Sequence, residues 1–293
     1  MLTIFSLGKK IKSVQDLQSV VKTMKILAAV SIRQYERAVA SLSEYARTLE
    51  MGFQILLQSA PMERFLPQRT NTKRYGIIIF GSEQGMCGQF NEQIAAFAEK
   101  DMRERGISPE NRVILSIGTR LESRLNSSGI SAEHIMSLPS SVFGITAKAL
   151  EVILKIESWQ SGGIADFFII YFNEYLSGST FRQKALQILP LNPDWMRDLE
   201  TKKWESRSLP AFTMDRTQLT LSLIRQYLFT SLYRCFAESL ASENASRMLS
   251  MQAAEKNIDD KLNDLLSVYH QKRQTTITEE LLDIVSGFEA LTE

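Results

Sequence analysis

Cysteine and histidine are nearly absent, with two of each in 293 residues: Cys87, Cys235, His134 and His270. The cysteines lie far apart and form no CxxC pair, and without clustered thiols or imidazoles no metal site is expected. Such sparse cysteine fits a reducing compartment. A charge of one sign is lacking too. The 34 Lys and Arg balance 33 Asp and Glu to a net +1, so overall charge gives no case for nucleic acid. No apolar run approaches the ~20 residues that a bilayer-spanning helix needs. The amino terminus, MLTIFSLGKKIK, places a short apolar run ahead of its basic residues, the reverse of a secretory signal. A soluble or peripheral protein is expected. At 44% hydrophobic and 23% charged residues, the composition allows a sizeable core.

Glycine and proline are missing from two long stretches. The first runs from Lys9 to Met51. Alternate steps of three and four residues pick out Val14, Leu17, Val21, Met24, Ala28, Ser31, Tyr35, Ala38, Leu42, Tyr45 and Leu49. Only Ser31 interrupts this apolar and aromatic series over about five heptads, which is a coiled-coil seam rather than the wider stripe of a core helix. Gly52, Pro61 and Pro67 then predict fraying. The second stretch lies between Pro210 and Gly287. As one helix its 76 residues would run about 114 Å. Its apolar spacing comes in blocks that slip in phase: Leu221, Ile224, Leu228; Ile258, Leu262, Leu265, Tyr269; Ile277, Leu281, Ile284, Phe288.

Between them the period changes. RYGIIIFGS, NRVILSIG, ADFFIIYFNEY and FRQKALQILP read as strands, and EQIAAFAEKDMRERG, TRLESRLNSSG and TAKALEVILKIESWQSGG as helices. This alternation predicts a partly parallel α/β sheet with an antiparallel strand at one edge. The expected fold is thus an α/β foot domain, residues 73–195, plus a long antiparallel two-helix coiled coil formed by the N- and C-terminal helices, 1–60 and 209–293. Charge agrees, since residues 9–51 carry +4 and residues 211–293 carry −4. With equal lengths paired, the last helix would overhang past roughly Ala253, and its apolar residues there call for a partner that covers them.

The stretch GSEQGMCGQFN, Gly81 to Asn91, sits between a strand and a helix, where phosphate loops occur. Met86 and Cys87 stand where G-x-x-x-x-G-K-[ST] needs lysine and a hydroxyl, and G-x-G-x-x-G is not met, so a tight structural turn is the simpler reading. Cys87 near a helix amino terminus could be an activated thiol, yet no histidine adjoins it, and a buried cysteine packing the turn is simpler. The neighbours Glu279 and Glu280, with Asp283, and likewise Asp259 and Asp260, point about 100° apart on a helix and do not converge on one substrate. Lys22, Lys25, Arg33 and Arg37 form a basic surface without aromatic interleaving, which favours an acidic protein partner over nucleic acid. No catalytic constellation results.

Three stretches, in order, resemble the gamma subunit of F-type ATP synthases. IKSVQDLQSVVKTMKILAA is similar to that family's amino-terminal signature, with Lys22, Met24, Ala28 and Ala29 in place. GSEQGMCGQFN resembles its S-D-R-G-L-C-G-x-x-N turn at Gly85, Cys87, Gly88 and Asn91. ESLASENASRMLSMQAAEKNIDDKLNDLLSVYHQKRQTTITEELLDIVSG is similar almost continuously. The resemblance implies a non-catalytic rotor shaft without cofactor, metal or membrane insertion. Its implied partners are a hexameric ring of alpha and beta subunits, an epsilon subunit and a membrane c-ring. It also implies rotor–stator coupling roles for Met24, Lys25, Arg247, Gln274, Thr278 and Glu280, and a place on the cytoplasmic face of a bacterial membrane, inner or thylakoid. DLQSVVKTMKILAAVSIRQYERAV looks more like the divergent N-type, Na+-linked bacterial enzyme. Departures from the family pattern are Val30-Ser31 for its Ser-Lys, Ser82-Glu83-Gln84 for S-D-R, and WESRSLP for Y-x-Y-E-P. The inserted regulatory segment of photosynthetic gamma subunits is absent from the sequence. Outside the resemblance, the residues leave open a non-rotary coiled-coil scaffold and a nucleotide-binding α/β enzyme using residues 81–91.

Overall fold

Both long stretches poor in glycine and proline are helical from end to end in the computed structural model: α1, Ile4–Ser59, and α6, Arg216–Thr292. The structure describes residues 3–59, 73–204 and 212–292, with side chains left out at 59 and after 287. Pro61, Pro67, Phe288 and most of WESRSLP therefore lie outside the described residues or side chains. The chain divides into two compact units, Met1–Ala28 with Met248–Glu293, and Ala29–Arg247.

In the first unit α1 and α6 run antiparallel. Gln18 Nε2 donates to Asp259, and Lys25 Nζ pairs with Glu255. The seam on α1 is heptad-spaced, but only one of its two rows matches the expected series. Leu7, Val14, Val21 and Ala28 face α6, and the other row is Ile11, Gln18 and Lys25; of the expected companions Leu17 is exposed, whereas Met24 is half-buried like Lys25. Leu17 is 52% exposed. The second row steps four residues rather than three from the first, because the partner lies on that side. Against it α6 sets Met251, Glu255, Ile258, Leu262, Leu265 and Tyr269. The Gln18–Asp259 and Lys25–Glu255 register puts the start of α1 beside residues near 275. The overhang thus begins near Ile277 and not at Ala253, and its last 16 or so residues extend about 24 Å.

The second unit is built on a five-stranded sheet of order β3-β2-β1-β4-β5. β1 (Tyr75–Phe80), β2 (Arg112–Ile117), β3 (His134–Met136) and β4 (Phe167–Ser177) run parallel, and β5 (Thr180–Leu189) pairs antiparallel at the edge, as expected. Alternation along β1 sends Ile77 and Ile79 to one face and Ile78 and Phe80 to the other. α2 (Phe90–Glu104) and α3 (Glu122–Ser127) cover the first face through Ile94, Ala98, Met102 and Leu125. α4 (Val142–Ser161) covers the second together with α6, whose Phe236 ring meets Phe80 edge-on at 4.7 Å. From Cys235 to Glu243 α6 is buried on every side. Ala237, Ser239, Ala241 and Ser242 supply the small side chains that such close packing needs.

Two elements had no expectation from sequence. β3, His134–Met136, is one of them. α5 (Pro193–Thr201) opens with proline at its first position and with Asn192 Oδ1 accepting the Asp194 N–H at 2.8 Å. It packs Met196 and Leu199 on Phe53 and Leu57 of α1. α1 does not fray at Gly52. There the helix comes so close to α6 that a Cβ would lie 2.8 Å from Leu223 Cδ2. Glycine at this point permits contact instead of ending the helix.

Candidate functional site

The turn after β1 is fastened to α6. Asn91 at the start of α2 ties the loop to itself: its Oδ1 accepts the Ser82 N–H at 2.9 Å and its Nδ2 donates to Ser82 Oγ at 2.8 Å. Gly81 is obligatory, since a Cβ there would collide with the Leu121 side chain. Two residues of the turn take the left-handed region, Gly88 at φ 55° and Met86 at φ 61°. Gly85 does not. A non-glycine residue at positive φ is strained, and Met86 is 62% exposed.

Three α6 residues grip this turn. Ser246 Oγ donates to the Cys87 carbonyl at 2.6 Å. Arg247 donates from Nε to the Gly85 carbonyl and from Nη2 to the Gln84 carbonyl, each at 3.4 Å, and pairs with Glu243 one turn earlier. The Glu243 carboxylate lies beside the backbone of Gln84 and Glu83. Burial pushes its carboxyl above the usual range, against the opposing pull of the Arg247 guanidinium and that backbone. Glu83 turns the other way and accepts from the Leu138 N–H at 3.0 Å and the Thr119 N–H at 3.3 Å. It thus braces the loops that carry Thr119 and Leu138.

This geometry answers whether the turn holds a phosphate. The Ser82 N–H is bound by Asn91, and the buried carboxylate of Glu243 lies beside the backbone of Glu83 and Gln84, where an anion would go. Cys87 is buried, and that burial raises its thiol pKa, partly offset by the Ser82 hydroxyl. It packs the turn.

The expected coupling residues divide. Met24 is half-buried, and Lys25 is paired with Glu255. Gln274, Thr278 and Glu280 are exposed near the end of α6, where Thr278 Oγ1 donates back to the Gln274 carbonyl at 2.9 Å. Beside them Ile277, Leu281, Leu282, Ile284 and Val285 are exposed as well. Arg247, in the second unit, is 5% exposed and spent on the turn. Sequence reading missed Glu243, although its spacing of four residues before Arg247 is a helix ion-pair signal. It also missed Ser246 and Glu255.

The geometry describes a fold and a fastened turn, and comparison with known proteins supplies the family. A family model described as ATP synthase matches residues 3–291. The chain belongs to the ATP synthase gamma family. Within that family it is 26% identical to the ATP synthase gamma chain of Bdellovibrio bacteriovorus, over 99% of each chain. Among solved structures, it resembles a chain of the Euglena gracilis mitochondrial ATP synthase (OSCP/F1/c-ring, rotational state 3), with TM-score 0.64 and 17% identity, covering 98% of this chain and 94% of that one. It also resembles a chain of the central stalk and c-ring of the Tetrahymena thermophila mitochondrial ATP synthase, with TM-score 0.58 and 19% identity, covering 80% of this chain and 99% of that one. The family match carries the identification, and the structural likenesses show that the fold is shared. No helix among the described residues is long and apolar enough to cross a membrane.

Proposed function

We infer that this chain is the central rotor shaft of a rotary F-type ATP synthase, coupling ion flow through a membrane c-ring to conformational change in catalytic beta subunits. The observation that carries this is the end-to-end match to a gamma chain, 99% of each sequence. The chain is not itself catalytic. Its partners are the alpha and beta subunits, an epsilon subunit and the c-ring, and it is a peripheral part of the membrane complex. The cytoplasmic face of a bacterial membrane, the division into shaft helices 1–60 and 209–293 around a foot 73–195, and the N-type affiliation belong to the same proposal.

The mechanism follows from asymmetry. A ligand shifts a conformational equilibrium only through contacts that differ between its states. A rotor acts as such a ligand, presenting different faces to three beta subunits in turn. Gln274, Thr278 and Glu280 are exposed polar groups that can exchange partners as α6 turns, while Ile277, Leu281 and Ile284 offer an apolar surface to a surrounding sleeve. Met24 and Lys25 on α1, and Arg247 through the turn it holds, complete the coupling set. The nucleotide-enzyme alternative is disfavoured by the carboxylate of Glu243 under the turn.

Reconstitution tests the reading. Mixed with the alpha and beta subunits of its own organism, the chain should form a stable complex whose ATP hydrolysis depends on it. Failure of the three to assemble would sink it.

A further inference from the structure

The first unit has a seam that is mostly apolar. On α1 the facing residues are Leu7, Ile11, Val14, Val21 and Ala28, and on α6 they are Met251, Ile258, Leu262, Leu265 and Tyr269. Within the first unit these apolar residues alone do not say which heptad of α1 lies against which heptad of α6, whereas in the second unit the close contact of Gly52 with Leu223 marks one pairing. The exceptions are Gln18 and one charged pair. Lys25 sits at a seam position of α1 and Glu255 at a seam position of α6, and the two are bonded. Their side chains are 31% and 20% exposed, so both charges are largely withdrawn from water. One heptad away, Gln18, again at a seam position, donates to Asp259.

From this placement we propose that the Lys25–Glu255 pair, backed by Gln18–Asp259, is a register pin that stops α1 and α6 sliding along each other. The proposal rests on the rotor reading and deepens it. Lys25 is then a positioning residue acting through Glu255, and not through direct contact with the surrounding ring. A slide of one heptad would move α1 by about 10 Å along α6. It would place Lys25 against Met248 or Leu262, and Glu255 against Gln18 or Ile32. Each such register leaves a partly buried charge without its partner, which is the penalty by which a single polar seam position selects one register. A shaft that transmits torque carries load along this seam. Apolar contacts resist separation of the helices well, but they resist sliding poorly.

The test compares four variants with the parent: Lys25→Leu, Glu255→Leu, both leucines together, and the exchange Lys25→Glu with Glu255→Lys. Spin labels on cysteines placed at the exposed positions Ser13 and Asn263 report the register of the full chain, since the native Cys87 and Cys235 are both buried. The complete complex in vesicles reports ions moved per ATP hydrolysed. The parent should give one interlabel distance. The double leucine variant should gain a second population displaced by about a heptad, with ion movement per ATP down several-fold while hydrolysis continues. The exchange variant should return to one distance and to within about twofold of parental coupling.

A single unshifted distance in the double leucine variant overturns the pin. So does loss of coupling in Lys25→Leu that Glu255→Leu does not share and the exchange does not rescue, since that pattern assigns Lys25 to the stator. If the parental chain fails to assemble with its ring, the rotor reading fails, and the distance measurement on the chain alone still decides the register.

Discussion

Ser246 Oγ donates a 2.6 Å hydrogen bond to the carbonyl of Cys87, joining two residues 159 positions apart. The bond is buried, so Ser246→Ala leaves a carbonyl without this donor inside the unit. The carbonyl keeps the Phe90 N–H at 3.3 Å, so the expected loss is that of one hydrogen bond, about 0.5–1.5 kcal/mol. Denaturant unfolding checks it, and an unchanged midpoint would mean that water or a neighbour satisfies the carbonyl.

Arg247 and Glu243 are each almost fully withdrawn from solvent, with side chains 7% and 4% exposed. Arg247→Met strands a buried carboxylate and should destabilise by about 3–5 kcal/mol. Adding Glu243→Gln should recover much of that loss, because the stranded charge is then gone. Hydrogen exchange across residues 82–88 would report the local effect, with the amides of Glu83 and Gln84 losing protection first.

Met86 holds φ 61° without being glycine. Met86→Gly should be neutral or mildly stabilising, since the strain it removes is about 1–2 kcal/mol and the added backbone freedom offsets part of it. Met86→Val should destabilise, its branched Cβ being poorly tolerated there. Thermal midpoints of the two variants should fall on opposite sides of each other, with the parent between them or level with the glycine form.

Acid dependence should centre on Glu174. Burial raises its carboxyl pKa, but Lys184 and Arg182 overcome that, and the net shift is downward from 4.5. A depressed folded pKa gives stability that is present above 4.5 and lost as pH falls through the folded value. Glu174→Gln should therefore flatten the decline in stability below about pH 4.5. Glu238 behaves oppositely. Burial raises its carboxyl pKa despite Arg234, and its Oε2 has no hydrogen-bond partner among the described residues. Its contribution is present below the unfolded value and is lost as pH rises through the folded one. Titrating the unfolding midpoint of each variant from pH 3 to pH 8 separates the two signs.

The alternating α/β order, the antiparallel edge strand and the two long helices were legible because each rests on local periodicity. What sequence misread was register, which depends on partners. The row Leu7, Val14, Val21 and Ala28 was found from Val14 onward, whereas its companion row was placed at the exposed Leu17 instead of Gln18 and passed over Lys25 beside the half-buried Met24, because an apolar filter skips a paired lysine. That filter also hid Glu255. Gly52 was read by its propensity alone, and its contact with Leu223 has no local signature. α5 carried one, Asn192 before Pro193, and it went unread. The turn residues Gly81–Asn91 were recognisable as a motif, but the residues that hold the motif, Glu243 and Ser246, lie more than 150 positions away.

The bare end of α6 has a consequence for the life of the chain before assembly. Ile277, Leu281, Leu282, Ile284 and Val285 stand open to water on a helix that α1 no longer accompanies. Patches of this kind bind one another when nothing else is at hand. A cell that makes this polypeptide faster than the subunits meant to enclose it would accumulate sticky orphans. Balanced production, or a custodian that shields the tip until assembly, is therefore as much a requirement of this molecule as the rotation it serves.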